Sequence, residues 1–157
     1  MVSVIKLEIK GKLCIEPVLP KQGKGGQVEL TPTFADLHNV PRSKLKLVTR
    51  NEKTGIGFWT NTHSWAWWNF RIDRPGAFAV RAEIAAPSES VLSFGLEDEP
   101  GKEVIIEPTG SFETYEVREL GELIIPESGR FQLEFRPVKN GWNPVKLGTV
   151  MLRSVEQ

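Results

Sequence analysis

The chain alternates. Ile5, Leu7 and Ile9 are interleaved with Lys6, Glu8 and Lys10, and Phe78, Val80, Ala82 and Ile84 with Ala79, Arg81 and Glu83. Leu92, Phe94 and Leu96 repeat the pattern, as do Phe131, Leu133 and Phe135. Successive side chains of a strand point to opposite faces, so period two marks strands with one face buried. No segment carries a sustained apolar stripe at helical spacing. The pattern predicts strands at about 3–9, 12–16, 27–31, 44–50, 65–73, 77–85, 90–97, 103–107, 112–118, 121–125, 131–137 and 146–154. With 11 prolines and 14 glycines separating them, the expected fold is all-β: an antiparallel β-sandwich of the jelly-roll type. Pro75 and Gly76 read as a tight turn, Pro126 to Gly129 as a corner, and the Gly- and Lys-rich stretch 20–26 as a mobile loop or linker.

Residues 58–70, FWTNTHSWAWWNF, hold four of the five tryptophans. On a strand over 65–73, Ala66, Trp68, Phe70 and Ile72 share one wholly apolar face and belong to the core. Trp65, Trp67, Asn69 and Arg71 share the other. That second face is either a smaller core covered by the N-terminal strands or a platform for ligand rings. Trp59 precedes the strand between Gly57 and Asn61, in a loop where exposure is expected. Flat aromatics beside amides and guanidinium groups suit pyranose rings, whose apolar face stacks while the hydroxyls bond outward.

The length of 157 residues suits one domain. The net charge of zero removes the basic field that nucleic-acid binding needs. The charge is nonetheless uneven: residues 1–50 hold 9 Lys and Arg against 4 acids, the remainder 11 against 16. The single cysteine, Cys14, allows no internal disulfide and reads as a small apolar residue. No stretch is long and apolar enough for a membrane-spanning helix, so no membrane partner is expected, and charges break up the apolar residues of MVSVIKLEIKGK, which does not read as a signal peptide.

The segment GIGFWTNTHSWAWWNFRIDRPGAFAVRAEIA resembles the entry segment of galactose-binding-domain-like β-sandwich modules, including family 6 carbohydrate-binding modules. TGSFETYEV, then LGELIIPESGRFQLEF, are similar to the following elements, and PVKLGTVMLRSV to the last strand. Ala35, Asp36, Leu37 and His38 resemble a segment in accessory modules of bacterial sulfatases and fucosidases. The resemblance covers residues 35–155 and leaves 1–34 as an N-terminal arm, expected to add to a sheet edge or to cover Trp65 and Trp67. It implies a sugar site built from an aromatic of the Gly-aromatic loop (Phe58 or Trp59), Phe112 of the Thr-Gly-x-aromatic segment, and Lys146 ahead of the last strand. Asn140, Trp142 and Asn143 in the loop KNGWN add to it. The family commonly has Asn or Asp where Lys146 stands, a departure that turns the expectation from neutral toward anionic sugars. It also weakens a structural calcium site, for which Asp36 remains as a ligand; no other cofactor is expected. A polysaccharide or oligosaccharide partner, a linked or neighbouring enzyme domain and a secreted or periplasmic setting follow from the same resemblance.

Catalysis is not expected. Glu97, Asp98 and Glu99 sit at a hairpin tip, whereas a glycosidase sets two carboxyls across a cleft. His38 and His63 have no second cysteine or acid spacing to complete a zinc site. Two readings stay open: a noncatalytic carbohydrate-binding module accessory to a glycan-active enzyme, and a structural or protein-interaction β-sandwich whose tryptophans pack on a neighbour.

Overall fold

A computed structural model describes residues 19–155. Eleven strands form two antiparallel sheets: β1 (Gln27–Leu30), β2 (Asp36–His38), β3 (Lys46–Arg50), β4 (Lys53–Gly57), β5 (Trp65–Ile72), β6 (Gly76–Ala85), β7 (Ser90–Leu96), β8 (Lys102–Ile106), β9 (Glu116–Ile125), β10 (Gly129–Pro137) and β11 (Lys146–Ser154). One sheet runs β3-β4-β11-β6-β9, with β1 also paired to β11, and the other runs β2-β5-β10-β7-β8. Among the described residues there is no α-helix, only a 3₁₀ turn over Pro32–Phe34. The fold is an antiparallel β-sandwich, as the alternation predicts.

The core lies between the sheets and is built from the predicted parity. Ala66, Trp68, Phe70 and Ile72 are buried, as are Phe78, Val80, Phe94, Leu133 and Phe135. Trp68 meets Phe135 edge to face at 5.6 Å, and Phe135 stacks on Phe94 at 6.1 Å. The Trp68 indole N–H donates to the Thr31 carbonyl at 2.7 Å, so even the polar edge of this core ring is satisfied.

Four expectations need correction. Strands β2 and β4 lie in segments read as loop; β2 is three residues long, and β4 (KTGIG) carries two glycines that break its alternation. The segments 112–118 and 121–125 are not two strands but one, β9, beginning at Glu116. Val80 pairs with Gly121 and Arg81 with Glu119, so Leu120 is the extra residue of a β-bulge. The bulge shifts the inward parity: Leu120 is buried, and then Leu123 and Ile125. Finally, the stretch 20–26 is anchored rather than loose. Pro20 accepts from the Arg71 N–H and Gln22 donates to the Arg71 carbonyl. The buried Gln22 amide accepts from the N–H groups of Asp73 and Arg74 and donates to Gly26. A composition of Lys and Gly does not announce a buried glutamine that holds a turn. The strands expected at 3–9 and 12–16, and Cys14, lie outside the described residues; of the arm, β1 pairs with β11 through Val28 and Leu30, both buried.

The core predicts its own test. Trp68→Ala removes the central ring and should cost about 3–5 kcal/mol in chemical denaturation. A loss below about 1 kcal/mol would show that the ring is not the centre of the core.

Candidate functional site

At one end of the sandwich a pocket of about 410 Å³ is lined by Val48, Arg50, Phe58, Thr60, Phe112, Glu113, Pro144 and Lys146. Three segments far apart in sequence meet there: the β3–β4 hairpin with the loop after it, the 107–115 loop and the start of β11. They bring together Phe58, Phe112 and Lys146 from the sequence reading.

The hairpin supplies one wall. Lys46 pairs with Gly57, Val48 with Gly55 and Arg50 with Lys53. Its two turn residues, Asn51 and Glu52, have φ of 52° and 65°, the left-handed pair that matches the twist of a two-residue hairpin. Phe58, just after β4, has φ of 55°, unusual for a bulky residue. That backbone state leaves the ring 54% exposed. Lys46 Nζ sits 5.0 Å from its centroid. An exposed aromatic held in a sparsely populated conformation is the kind of strain that gathers at ligand sites.

The second wall is the 107–115 loop, and its TGSF sequence explains its shape. The Thr109 hydroxyl accepts from the Ala86 N–H at 2.9 Å, and the Thr109 N–H donates to the Ala86 carbonyl at 2.7 Å, pinning the loop to the end of β6. Gly110 takes φ of 103°, which a side chain would disfavour. The Ser111 hydroxyl then accepts from the N–H groups of Glu113 and Thr114 at 3.2 and 3.1 Å, closing a small turn. Phe112 stands at its tip, 39% exposed. Tyr115 fixes the loop's far end by lying across two glycines. A Cβ at Gly55 would come within 2.2 Å of the Tyr115 hydroxyl, and one at Gly148 within 3.3 Å of the ring. Lys53 Nζ stands 4.9 Å from the Tyr115 centroid and pairs with Glu83. Burial, then the carboxylates of Glu83 and Glu113, raise the phenol above its ordinary pKa, so it remains a neutral anchor.

Trp59 is not the exposed loop aromatic that the sequence implied. It is fully buried. Its indole N–H donates to the Ser64 carbonyl at 2.9 Å, and its ring meets Trp142 edge to face at 5.1 Å. Trp142 donates in turn to the Trp59 carbonyl at 2.9 Å. Both rings therefore join loops rather than line the pocket. Phe58 is exposed and the adjacent Trp59 buried, with the left-handed φ of Phe58 at the junction between them. Asn143 is tied down too: its N–H donates to the Ser90 hydroxyl, its carbonyl accepts from that hydroxyl, and its amide donates to Glu89. Asn140 is exposed in the same loop and is not among the lining residues. Sequence reading missed Val48, Arg50, Thr60, Glu113 and Pro144. The signal for the first two was the hairpin turn at Asn51, a residue tolerant of left-handed φ.

Trp65 and Trp67 lie on the outer face of the other sheet, where alternation put them, with centroids 4.6 Å apart. The Arg136 guanidinium lies 3.7 Å over the Trp65 ring and is held there by Glu134, and His38 approaches from the side at 5.5 Å. Asn69 is half-buried with its amide 3.5 Å from the Asp36 carboxylate, and Arg71 is exposed. Among the described residues no group of three or more His, Cys, Asp or Glu side chains could hold a metal ion.

No family model matches the sequence, and no curated protein matches it. Solved structures do. The family 35 carbohydrate-binding module from Clostridium thermocellum has a TM-score of 0.67 at 11% identity, over 80% of this chain and 98% of that one. A family 6 module from Cellvibrio mixtus lichenase 5A, in complex with cellotriose, has 0.63 at 12%, over 82% and 97%. A Podospora anserina GH26-CBM35 β-(1,4)-mannanase has 0.65 at 11%, over 85% of this chain and 29% of the mannanase. The chain thus spans the whole of single modules and less than a third of that multidomain enzyme.

Two substitutions test this architecture. Trp59→Ala should cost about 3–5 kcal/mol, as a core aromatic does. Gly55→Ala should destabilise by about 1–3 kcal/mol, because the added methyl meets the Tyr115 hydroxyl. Thermal or chemical melts check both, and wild-type stability in either variant would mean that the loops are not tethered as described.

Proposed function

We propose that this chain is a noncatalytic carbohydrate-binding module that takes a glycan into the Phe58–Phe112 pocket by stacking, as an accessory to a glycan-active enzyme. The observation that carries the reading is the convergence of two exposed phenylalanines and a lysine in one pocket, on segments brought together only by the fold. An apolar ring face can lie against Phe58 or Phe112 while Thr60, Arg50 and Lys146 meet the hydroxyls. Among the described residues Glu113 is the one carboxylate in the lining, so the paired acids of a glycosidase are not present at this site. The accessory role draws on the neighbours: modules of this fold occur inside a mannanase chain.

A shallow, half-open site of this kind should bind with a Kd on the order of 10 µM to 1 mM. The rival reading, a protein-interaction sandwich, leaned on the tryptophans. Two of the four clustered tryptophans, Trp59 and Trp68, are buried, and Arg136 covers the face of Trp65.

Calorimetric titration with oligosaccharides provides the test. Phe58→Ala and Phe112→Ala should each weaken binding by about 2 kcal/mol or more. Neither leaves a core cavity, so their melting temperatures should stay near wild type. Phe58→Gly should abolish binding while holding or raising stability by up to about 1 kcal/mol, since glycine relieves the left-handed φ. Undiminished glycan binding in both alanine variants would overturn the assignment of the site.

A further inference from the structure

We infer that the pocket selects anionic pyranoses, with Lys146 as the receptor for the anionic substituent; this rests on the carbohydrate-binding reading of the same pocket. Lys146 is only 9% exposed, yet it lines the pocket. It opens β11 opposite Ala85, and its stem passes Gly57, where a Cβ would lie 3.5 Å from Lys146 Cγ. Among the described residues the Lys146 ammonium has no hydrogen bond and no ion pair, although Lys53, Arg81, Arg118 and Arg136 each have a carboxylate. The stem is buried while the unpaired ammonium stays accessible at the pocket, where an arriving anion meets a cation with no carboxylate already paired to it.

The rest of the pocket has the same sign. Arg50 lines it from the hairpin, Lys46 stands at the Phe58 ring on the rim, and Glu113 is the opposing acid in the lining. The rings and the cations divide the ligand between them. Phe58 and Phe112 take the apolar face of the sugar, and Lys146 takes a negative group at the ring's edge, with Arg50 able to add a planar fork. Both the carboxylate of a uronic acid and the sulfate ester of a sulfated sugar have that chemistry.

The test is calorimetric titration of the full chain, with the ionic strength matched between series, with galacturonate oligosaccharides, sulfated galactan oligosaccharides, cello-oligosaccharides and manno-oligosaccharides. The proteins are wild type, Lys146→Met, Arg50→Gln and Phe58→Ala. Lys146→Met keeps the buried stem and removes the charge; Arg50→Gln, on an exposed strand, tests the field even if the first variant fails to fold. One or both anionic series should bind about 10-fold or more tighter than the neutral ones, the worth of a charge-assisted hydrogen bond. The anionic arm that binds identifies carboxylate or sulfate. Lys146→Met should lose about 10-fold on that arm and under about 2-fold on neutral sugars, and raising salt from about 50 to 500 mM should erode the preference. If neutral sugars bind as well as anionic ones, or Lys146→Met weakens both alike, the anion inference is overturned, while loss of binding in Phe58→Ala keeps the sugar site. If no series binds wild type, both readings fall.

Discussion

The pocket depends on a contact that does not line it. Trp59 is buried beneath the loop that bears Phe58, and Trp142 from the opposite side of the sandwich edge locks onto its backbone carbonyl. This pair ties the 58–64 loop to the 138–145 loop across 83 residues of sequence. Burial of a full indole stabilises by a few kcal/mol, enough to outweigh the left-handed φ that Phe58 must adopt. The exposed ring is thus held in place by the core behind it. A ligand then meets an ordered surface and loses less entropy on binding than a floppy loop would demand.

The second ring is positioned by a different device. Glycines at 55 and 148 clear a track for Tyr115 over β4 and β11, and Thr109 and Ser111 fold the segment before it into a turn. Phe112 is therefore carried by a loop fastened at both ends. Beyond it the bulge at Leu120 shifts the inward parity of β9, so that Leu120 and then Leu123 and Ile125 face the core. Both walls of the pocket follow one principle: a side chain offered to solvent is bracketed by side chains or hydrogen bonds committed to the interior.

Much of this could be read from the sequence, and the gaps have physical causes. Long strands with clean alternation, such as β5, β6 and β10, show their faces directly, so the burial of Trp68, Phe78 and Leu133 follows from parity alone. Parity fails where a bulge inserts a residue, as at Leu120, and where glycines replace the pattern, as in β4. The resemblance located the Gly-aromatic loop but left Phe58 and Trp59 as alternatives. Alternation says that neighbours point apart, not which of them points inward. That choice was made by Trp142, from a distant loop, and by the Ser64 carbonyl. Arg50 was missed for a similar reason: only the hairpin brings it to Phe58.

The central claim is that the tethered rings of Phe58 and Phe112, rather than the tryptophan face of the other sheet, receive the sugar. Backbone amide shifts recorded during titration with a bound oligosaccharide test it most directly. The account predicts that the perturbed amides cluster at residues 57–60, 110–113 and 144–147. Perturbations concentrated at 65–71 and 134–136 instead would contradict it and move the site to the opposite face.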